Sequence, residues 1–170
     1  MDVFDAVRTV LAVRNYRDEP VPRDVIDRVV EAARLTASSQ NRQPWHFVVV
    51  EGREALQQLG ALCTSGPYTA DAGFAVVVTI DSASRSGPGD AARAIQSMVL
   101  TAWESGVGSN WVGVPREPEV KALLGIPESM RVAAVVPFGY PAAQVGIGKK
   151  DRKPTNEVAS RGQFGTPFAS

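Results

Sequence analysis

Cysteine and histidine are almost absent from this chain of 170 residues, which holds only Cys63 and His46. A single cysteine cannot form a disulfide within the chain, so nothing indicates an oxidising compartment. A single histidine excludes multi-histidine metal sites and Cys/His clusters with the usual number of ligands. A nucleophile–base pair of Cys63 and His46 stays formally possible, but no recognised nucleophile signature surrounds either residue.

Net charge is absent as well, because 18 Lys and Arg balance 18 Asp and Glu. Proteins that bind nucleic acid usually carry a basic excess, so we expect no nucleic-acid partner. Zero net charge also leaves little repulsion to keep copies of the chain apart. No apolar run approaches the ~18 residues of a membrane span, and the N-terminus lacks the basic and apolar regions of a signal peptide. We therefore expect a cytoplasmic protein with no membrane partner.

Hydrophobic periodicity predicts a single domain, residues 1–170, with a central sheet of the α/β or α+β class. Helices are predicted over residues 2–10, 22–35, 53–62 and 117–124. A further helix is predicted from a cap at Asp90 to the glycines at 106 and 108. Strands are predicted over residues 46–50, 74–80, 109–114 and 131–139. Residues 82–89, rich in Ser, Gly and Pro, predict a mobile loop. Residues 142–170 predict a tail that is either disordered or wrapped over a partner.

The most informative segment connects the second helix to the first strand and reads Ser38-Ser39-Gln40-Asn41-Arg42-Gln43-Pro44-Trp45. A plain connector needs only a few residues, so a long connector rich in polar side chains indicates a site held by a rigid frame. The plainer interpretation is a capped helix end and a turn around Pro44, with Trp45 in the core. Generic loops rarely combine all of these residues, which favours the functional interpretation.

Obvious protein-borne catalysts are missing from the chain. It has no P-loop, no Gly-x-Gly-x-x-Gly motif and no pair of carboxylates that stands out. Such a pattern fits an enzyme whose cofactor performs the chemistry.

The connector resembles the Ser-x-x-Asn-x-Gln-Pro-Trp motif of the nitroreductase family of flavin enzymes. Further resemblances follow in the family's order at residues 14–22, 90–108, 111–114, 123–128, 138–141 and 150–154. The resemblance implies an α+β fold with three α/β/α layers around a mostly antiparallel sheet. It also implies a homodimer that binds FMN at its interface with residues from both chains, and a tail over residues 142–170 that wraps the partner subunit.

The same resemblance implies which residues bind the cofactor. They are Arg14, Ser38, Ser39, Asn41, Gln43, Gly113, Val114, Lys150 and Arg152. Arg14 would lie at the N1 and C2=O edge of the flavin, where a guanidinium stabilises the anionic reduced ring; its plainer interpretation is a salt bridge with Asp18 or Glu19. Backbone N–H near Gly113 would reach flavin N5, and Lys150 and Arg152 would neutralise the phosphate.

Three positions depart from the family pattern. Residues 10–12 read Val-Leu-Ala, where the family usually has Arg-Arg-Ser to bind the phosphate and ribityl chain. Each lost charge-assisted hydrogen bond costs about 1.5–3 kcal/mol. We therefore expect weaker FMN binding than is usual in the family unless Arg8, Lys149 or Lys153 substitutes. A further polar contact of the family also has no clear match in residues 66–71.

The function implied is an oxidoreductase that works by ping-pong turnover. NAD(P)H would transfer hydride to flavin N5 and leave, and a nitroaromatic, a quinone or a related electron-poor acceptor would take its place. No side chain is implied to be catalytic, because flavin N5 carries the chemistry. Two alternatives stay open: a protein that binds or sequesters flavin with little turnover, and an enzyme that uses a deazaflavin or oxygen.

Overall fold

The computed structural model describes residues 1–114, 116–143, 145 and 150–168. The helices are α1 (Val3–Thr9), α2 (Arg23–Arg34), α3 (Arg53–Leu62), α4 (Gly87–Glu104), α5 (Glu117–Leu124) and α6 (Thr155–Val158). The strands are β1 (Trp45–Glu51), β2 (Phe74–Asp81), β3 (Gly108–Ser109) and β4 (Met130–Gly139), and 3-10 turns cover Ser39–Asn41 and Pro67–Asp71. In this part of the chain no helix is both long enough and apolar enough to cross a membrane.

The strands form one antiparallel sheet in the order β1-β2-β4-β3. β2 lies near the centre and is buried from Phe74 to Ile80. A continuous apolar run is typical of a strand that is covered on both faces, and this expectation is confirmed. Phe74 lies opposite Phe138 of β4, and their stacked rings have centroids 4.7 Å apart.

Helices cover both faces of the sheet. Successive side chains of β2 point to opposite faces, so Val76 and Val78 join one core and Val77 joins the other. The first core lies under α2 and α4, which contribute Val29 and Met98 among others. The second core lies under α3 and α5. This arrangement confirms the expected α+β fold with three α/β/α layers.

The α4 helix begins at Gly87 rather than at Asp90, so the predicted cap at Asp90 is wrong. Ser86 occupies the cap position, and Pro88 suits the first turn because its fixed φ fits the start of a helix. The Asp90 N–H already donates to the Ser86 carbonyl at 3.0 Å, which places Asp90 inside the helix. The predicted loop over residues 82–89 accordingly ends at Ser86.

The strand predicted over residues 109–114 is interrupted. It is reduced to Gly108–Ser109 and a single bridge from Val112 to β4. Between these, Asn110 lies opposite Pro137, and the Asn110 N–H reaches the Pro137 carbonyl only at 3.4 Å. Proline has no N–H with which to return this bond, so the ladder breaks at this pair.

The described part of the tail has local structure of its own. A bridge joins Ser160 to Pro167, and the Arg161 guanidinium lies 5.2 Å from the centre of the Phe168 ring. The Phe164 side chain between them is fully exposed. The tail's passage over a partner subunit stays a prediction.

Candidate functional site

The connector between α2 and β1 has a strained backbone. Gln40, Asn41 and Gln43 have φ angles of 53°, 54° and 50°. Such positive values are uncommon for residues other than glycine, and only Asn adopts them readily. Each costs on the order of 1–3 kcal/mol and persists only where the surroundings hold it, which is why this kind of strain clusters at functional sites.

Hydrogen bonds within the connector hold this conformation. The Gln43 N–H donates to Ser38 Oγ at 2.9 Å. The Gln43 amide nitrogen donates to the carbonyl of Asn41 at 3.3 Å and to its side-chain oxygen at 3.2 Å. The Ser39 N–H instead leaves the connector and donates to Asp90 Oδ1 at 3.0 Å. The structure thus brings four of the predicted binding residues together in one turn.

Trp45, at the end of the connector, is half-buried, and its ring lies 6.0 Å from that of Phe47 at the edge of the first core. The plainer interpretation of the connector is therefore right about Trp45. It does not account for the positive φ angles of the preceding residues.

Arg14 lines a cavity of about 390 Å³ together with Asn15, Tyr16, Asp18, Arg53, Tyr68 and Asp71. Its plainer interpretation as a salt-bridge partner is not supported, because Arg53 pairs with Asp18 and Arg17 pairs with Glu19. Among the described residues, no carboxylate lies within salt-bridge distance of Arg14. Its exposed guanidinium is therefore available to an anionic or electron-rich group.

Tyr16 forms part of the same cavity, but its hydroxyl is already engaged by backbone carbonyls. Its hydroxyl donates to the carbonyls of Val13 at 2.9 Å and Pro137 at 3.3 Å. Burial, with a smaller contribution from Tyr68, raises the pKa of Tyr16 far above its usual value. We assign it a structural role beside Arg14.

Gly113 and Val114 follow Val112, which bridges to β4. The Gly113 carbonyl accepts a bond from Ser65 Oγ at 3.4 Å, and Gly66 packs on Val112 and Tyr68. A Cβ added to Gly113 would meet no atom within 4 Å, so packing within the chain does not require glycine here. Open space over an exposed backbone fits a planar ligand that approaches closely. Val114 instead packs half-buried against the second core.

Lys150 and Arg152 approach the chain from the tail. Lys150 Nζ donates to the Val7 carbonyl at 2.6 Å, at the C-terminal end of α1. Burial, and secondarily the neighbouring Arg152, lower the Lys150 pKa below its usual value. Arg152 is exposed and donates to the Asp151 carbonyl at 2.6 Å. These two cations thus lie beside the end of α1, where the chain turns towards Arg14.

Residues 10–12 provide no charged or hydroxyl side chain towards this region. Of the three predicted substitutes, Arg8 is paired with Asp5 at 2.8 Å. Lys153 is exposed, and Lys149 lies outside the described residues. The residues present therefore offer a flavin ring a free cation at Arg14, among the described residues, and open backbone at Gly113, and they offer its phosphate few contacts.

The connector and the segment that leads to Arg14 are tied to opposite ends of α4. The connector bonds to Asp90 in its first turn. The segment that leads to Arg14 is tied to its last turn, where Trp103 Nε1 donates to Thr9 Oγ1 at 2.9 Å. Asp90 and Trp103 are thirteen positions apart, which corresponds to about 20 Å along a helix. The contacts that tie these two segments to α4 therefore lie far apart within one chain.

Two features of this region were missed from the sequence. Tyr68 and Asp71 line the Arg14 cavity, although residues 66–71 showed no recognisable pattern. Asp90 accepts a hydrogen bond from the connector, whereas the sequence pattern predicted only a helix cap at this position. In both cases the signal is a contact between segments far apart in the chain, which local spacing cannot reveal.

Comparison with known proteins shows the family to which the chain belongs. Residues 8–81 and 66–140 match the Nitroreductase family. A relative from Methanothermobacter thermautotrophicus, provisionally named NADH dehydrogenase/NAD(P)H nitroreductase, is 37% identical over 154 residues, which cover 86% of this chain and 81% of the relative.

Solved structures agree as well. A similarly named protein from Bacteroides thetaiotaomicron is 27% identical with a TM-score of 0.86, over 95% of this chain and 97% of the other. An FMN-dependent nitroreductase from Clostridium difficile has the same fold, with a TM-score of 0.84, 24% identity, and coverage of 95% of this chain and 100% of the other. The matching family and these relatives make the chain an oxidoreductase. The chain belongs to the nitroreductase family.

Proposed function

We propose that this oxidoreductase depends on FMN and uses NAD(P)H to reduce an electron-poor acceptor such as a nitroaromatic or a quinone. The observation that carries the proposal is the exposed guanidinium of Arg14, which lines a cavity and has no salt-bridge partner among the described residues. The name of the Methanothermobacter relative supports NAD(P)H as the reductant. The FMN dependence of the Clostridium difficile neighbour makes FMN the first flavin to test.

We further propose that two copies of the chain share each flavin site. One copy contributes Arg14, Gly113, Val114, Lys150 and Arg152, and the other contributes Ser38, Ser39, Asn41 and Gln43. The attachment of the connector and of the segment before Arg14 to opposite ends of α4 supports this division. The same assembly would place the tail over residues 142–170 against the partner.

FMN, when bound, supplies a ring that accepts hydride and passes it to the acceptor. The chain's own residues position and stabilise that ring. Arg14 places a fixed positive charge beside the ring edge where negative charge develops. Gly113 lets the backbone approach the ring closely. Lys150 and Arg152 would offset the phosphate charge, and the connector would contact the ring from the partner's side.

The experiment that tests this proposal is a visible absorption spectrum of the purified protein, followed by titration with FMN. We expect a flavin band at near one per chain, or saturable binding after FMN is added, and then oxidation of NADH or NADPH over many cycles with a quinone acceptor. A colourless protein that does not bind FMN would overturn the cofactor assignment.

A second candidate function is flavin binding or sequestration with little turnover. It is favoured by residues 10–12, which offer no phosphate contact. Turnover separates the two functions, because a sequestering protein would bind flavin without repeated oxidation of NAD(P)H. Extraction and mass measurement of any bound cofactor would distinguish FMN from a deazaflavin.

A further inference from the structure

Asp90 is a buried carboxylate that is only partly satisfied. The residue is 3% exposed in the first turn of α4. Its Oδ1 accepts the Ser39 N–H, while its Oδ2 is buried without a hydrogen-bond partner among the described residues. The closest cation is Arg93, an exposed side chain at 3.6 Å from Oδ1. Burial of a charge is costly unless it is paired and bonded, so the position of Asp90 requires an explanation.

The hydrogen bond of Asp90 ends on the strained connector. The side-chain bonds among Ser38, Asn41 and Gln43 shape the connector, but they join its residues to one another. Within the part of the chain that the structure describes, one side chain from outside residues 38–43 forms a hydrogen bond to this segment, and it is that of Asp90. The connector is therefore fastened to the body of the molecule, between α2 and β1, through this carboxylate.

We propose that Asp90 is a positioning residue that holds the connector in the conformation needed to contact a flavin bound by a second copy of the chain. The inference rests on the proposed function. A segment with three positive φ angles has more relaxed alternatives, so it keeps its shape for a ligand only if an external contact restrains it. Binding to a preorganised segment avoids the entropy cost of ordering it. Loss of the anchor should consequently weaken flavin binding.

A purely structural role predicts something different. A carboxylate in the first turn stabilises a helix through the macrodipole, wherever the connector lies. That role depends on charge, whereas anchoring of Ser39 depends on an acceptor oxygen. Asp90→Asn separates the two, because its amide oxygen still accepts the Ser39 N–H but its charge is gone.

The first measurement uses the full chain without flavin. Hydrogen exchange over residues 38–43 and tryptic cleavage after Arg42 report connector order, and exchange in α5 serves as the internal reference. We expect Asp90→Ala to increase both signals several-fold and Asp90→Asn to remain close to wild type. Asp24→Ala removes an exposed first-turn carboxylate from α2 and should leave the connector unchanged.

A second pair of variants removes the same bond from the other side. Ser39→Pro lacks the N–H that Asp90 accepts, whereas Ser39→Ala loses only the hydroxyl. We expect connector exchange to increase in Ser39→Pro and to stay near the wild-type value in Ser39→Ala. If Asp90→Ala fails to fold, this pair of variants still tests whether the hydrogen bond between Asp90 and Ser39 orders the connector.

FMN titration completes the test. We expect Asp90→Ala to bind FMN about tenfold more weakly, as befits the loss of one hydrogen bond to a charged group, with affinity largely retained in Asp90→Asn and Asp24→Ala. Equal thermal destabilisation of the Ala and Asn variants, with unchanged connector exchange and FMN affinity, would overturn the inference. If the wild type binds no FMN, the proposed function fails and the flavin role of Asp90 fails with it, while the exchange data still decide whether Asp90 anchors the connector.

Discussion

Arg14 and Tyr16 lie two positions apart and meet opposite environments. Tyr16 is buried with its hydroxyl bonded to two carbonyls, while Arg14 is exposed and without a salt-bridge partner among the described residues. The buried tyrosine fixes the backbone that carries the arginine. A structural residue and a candidate binding residue thus share one short segment. Substitution of Tyr16 should change stability, whereas substitution of Arg14 should change flavin binding and turnover.

We predict that Arg14→Ala lowers NAD(P)H-dependent turnover by about tenfold to a hundredfold, because the positive charge at the ring edge is lost. FMN affinity should fall as well, and thermal stability should change little for an exposed side chain. Arg23→Ala is the matched control: it removes another exposed arginine, on α2, that pairs with Asp27. Full turnover with bound flavin in Arg14→Ala would show that its assigned role is wrong.

The burial of Tyr16 leads to a prediction about how the free energy of unfolding depends on pH. Burial raises its pKa in the folded protein, while in the unfolded chain it titrates near about 10. The unfolded state therefore loses its proton first as pH rises, so the free energy of unfolding should fall above about pH 10. Below that pH the contribution is fully present. Tyr16→Phe should abolish this part of the alkaline slope, as measured by urea unfolding between pH 7 and 11; an identical slope in both proteins would count against it.

At the scale of elements, the apolar patterns were sufficient to predict the helices and the central strands. Residues 53–62 and 117–124 were predicted as helices with the bounds that the structure shows. The third strand was predicted to be longer than it is, because its hydrogen-bond ladder breaks at Pro137. That proline belongs to the neighbouring strand β4, so it is distant in the sequence. The candidate site was named residue by residue from a family resemblance, whereas the attachment of its connector to Asp90 is a tertiary contact that no local pattern contains.

Gly108 shows how β3 positions the segment before Arg14. A Cβ at Gly108 would lie 2.3 Å from Val13 Cγ2 and 2.7 Å from Val13 Cβ. Gly108→Ala should therefore push that segment away, destabilise the protein by about 1–3 kcal/mol and weaken FMN binding.

Gly89→Ala is the matched control, because a Cβ there meets nothing within 4 Å and alanine favours the helix. We expect its unfolding free energy to be equal to or above that of the wild type. A Gly108→Ala protein with wild-type stability and FMN affinity would contradict the close packing of β3 on Val13.

At the scale of the whole molecule, the proposed site is complete only when two chains meet. The exposed apolar side chains of α1, among them Val3 and Phe4, agree with a surface that another chain covers. A two-fold dimer has two equivalent sites. Each site would combine the Arg14 surface of one copy with the connector surface of the other. Such an arrangement makes a prediction that no single-chain site can satisfy.

We predict that two defective variants restore each other. Arg14→Ala damages one surface, and the double variant Asn41→Ala/Gln43→Ala damages the other. A mixed dimer has one site with both defects and one site with neither, so mixing equal amounts after reversible dissociation should recover about one quarter of the wild-type sites. FMN binding and turnover would measure the recovery, with light scattering to establish the dimer. Absence of recovery in mixed dimers would mean that each flavin contacts a single chain, and the assignment of Ser38 to Gln43 as contacts from the partner would be wrong.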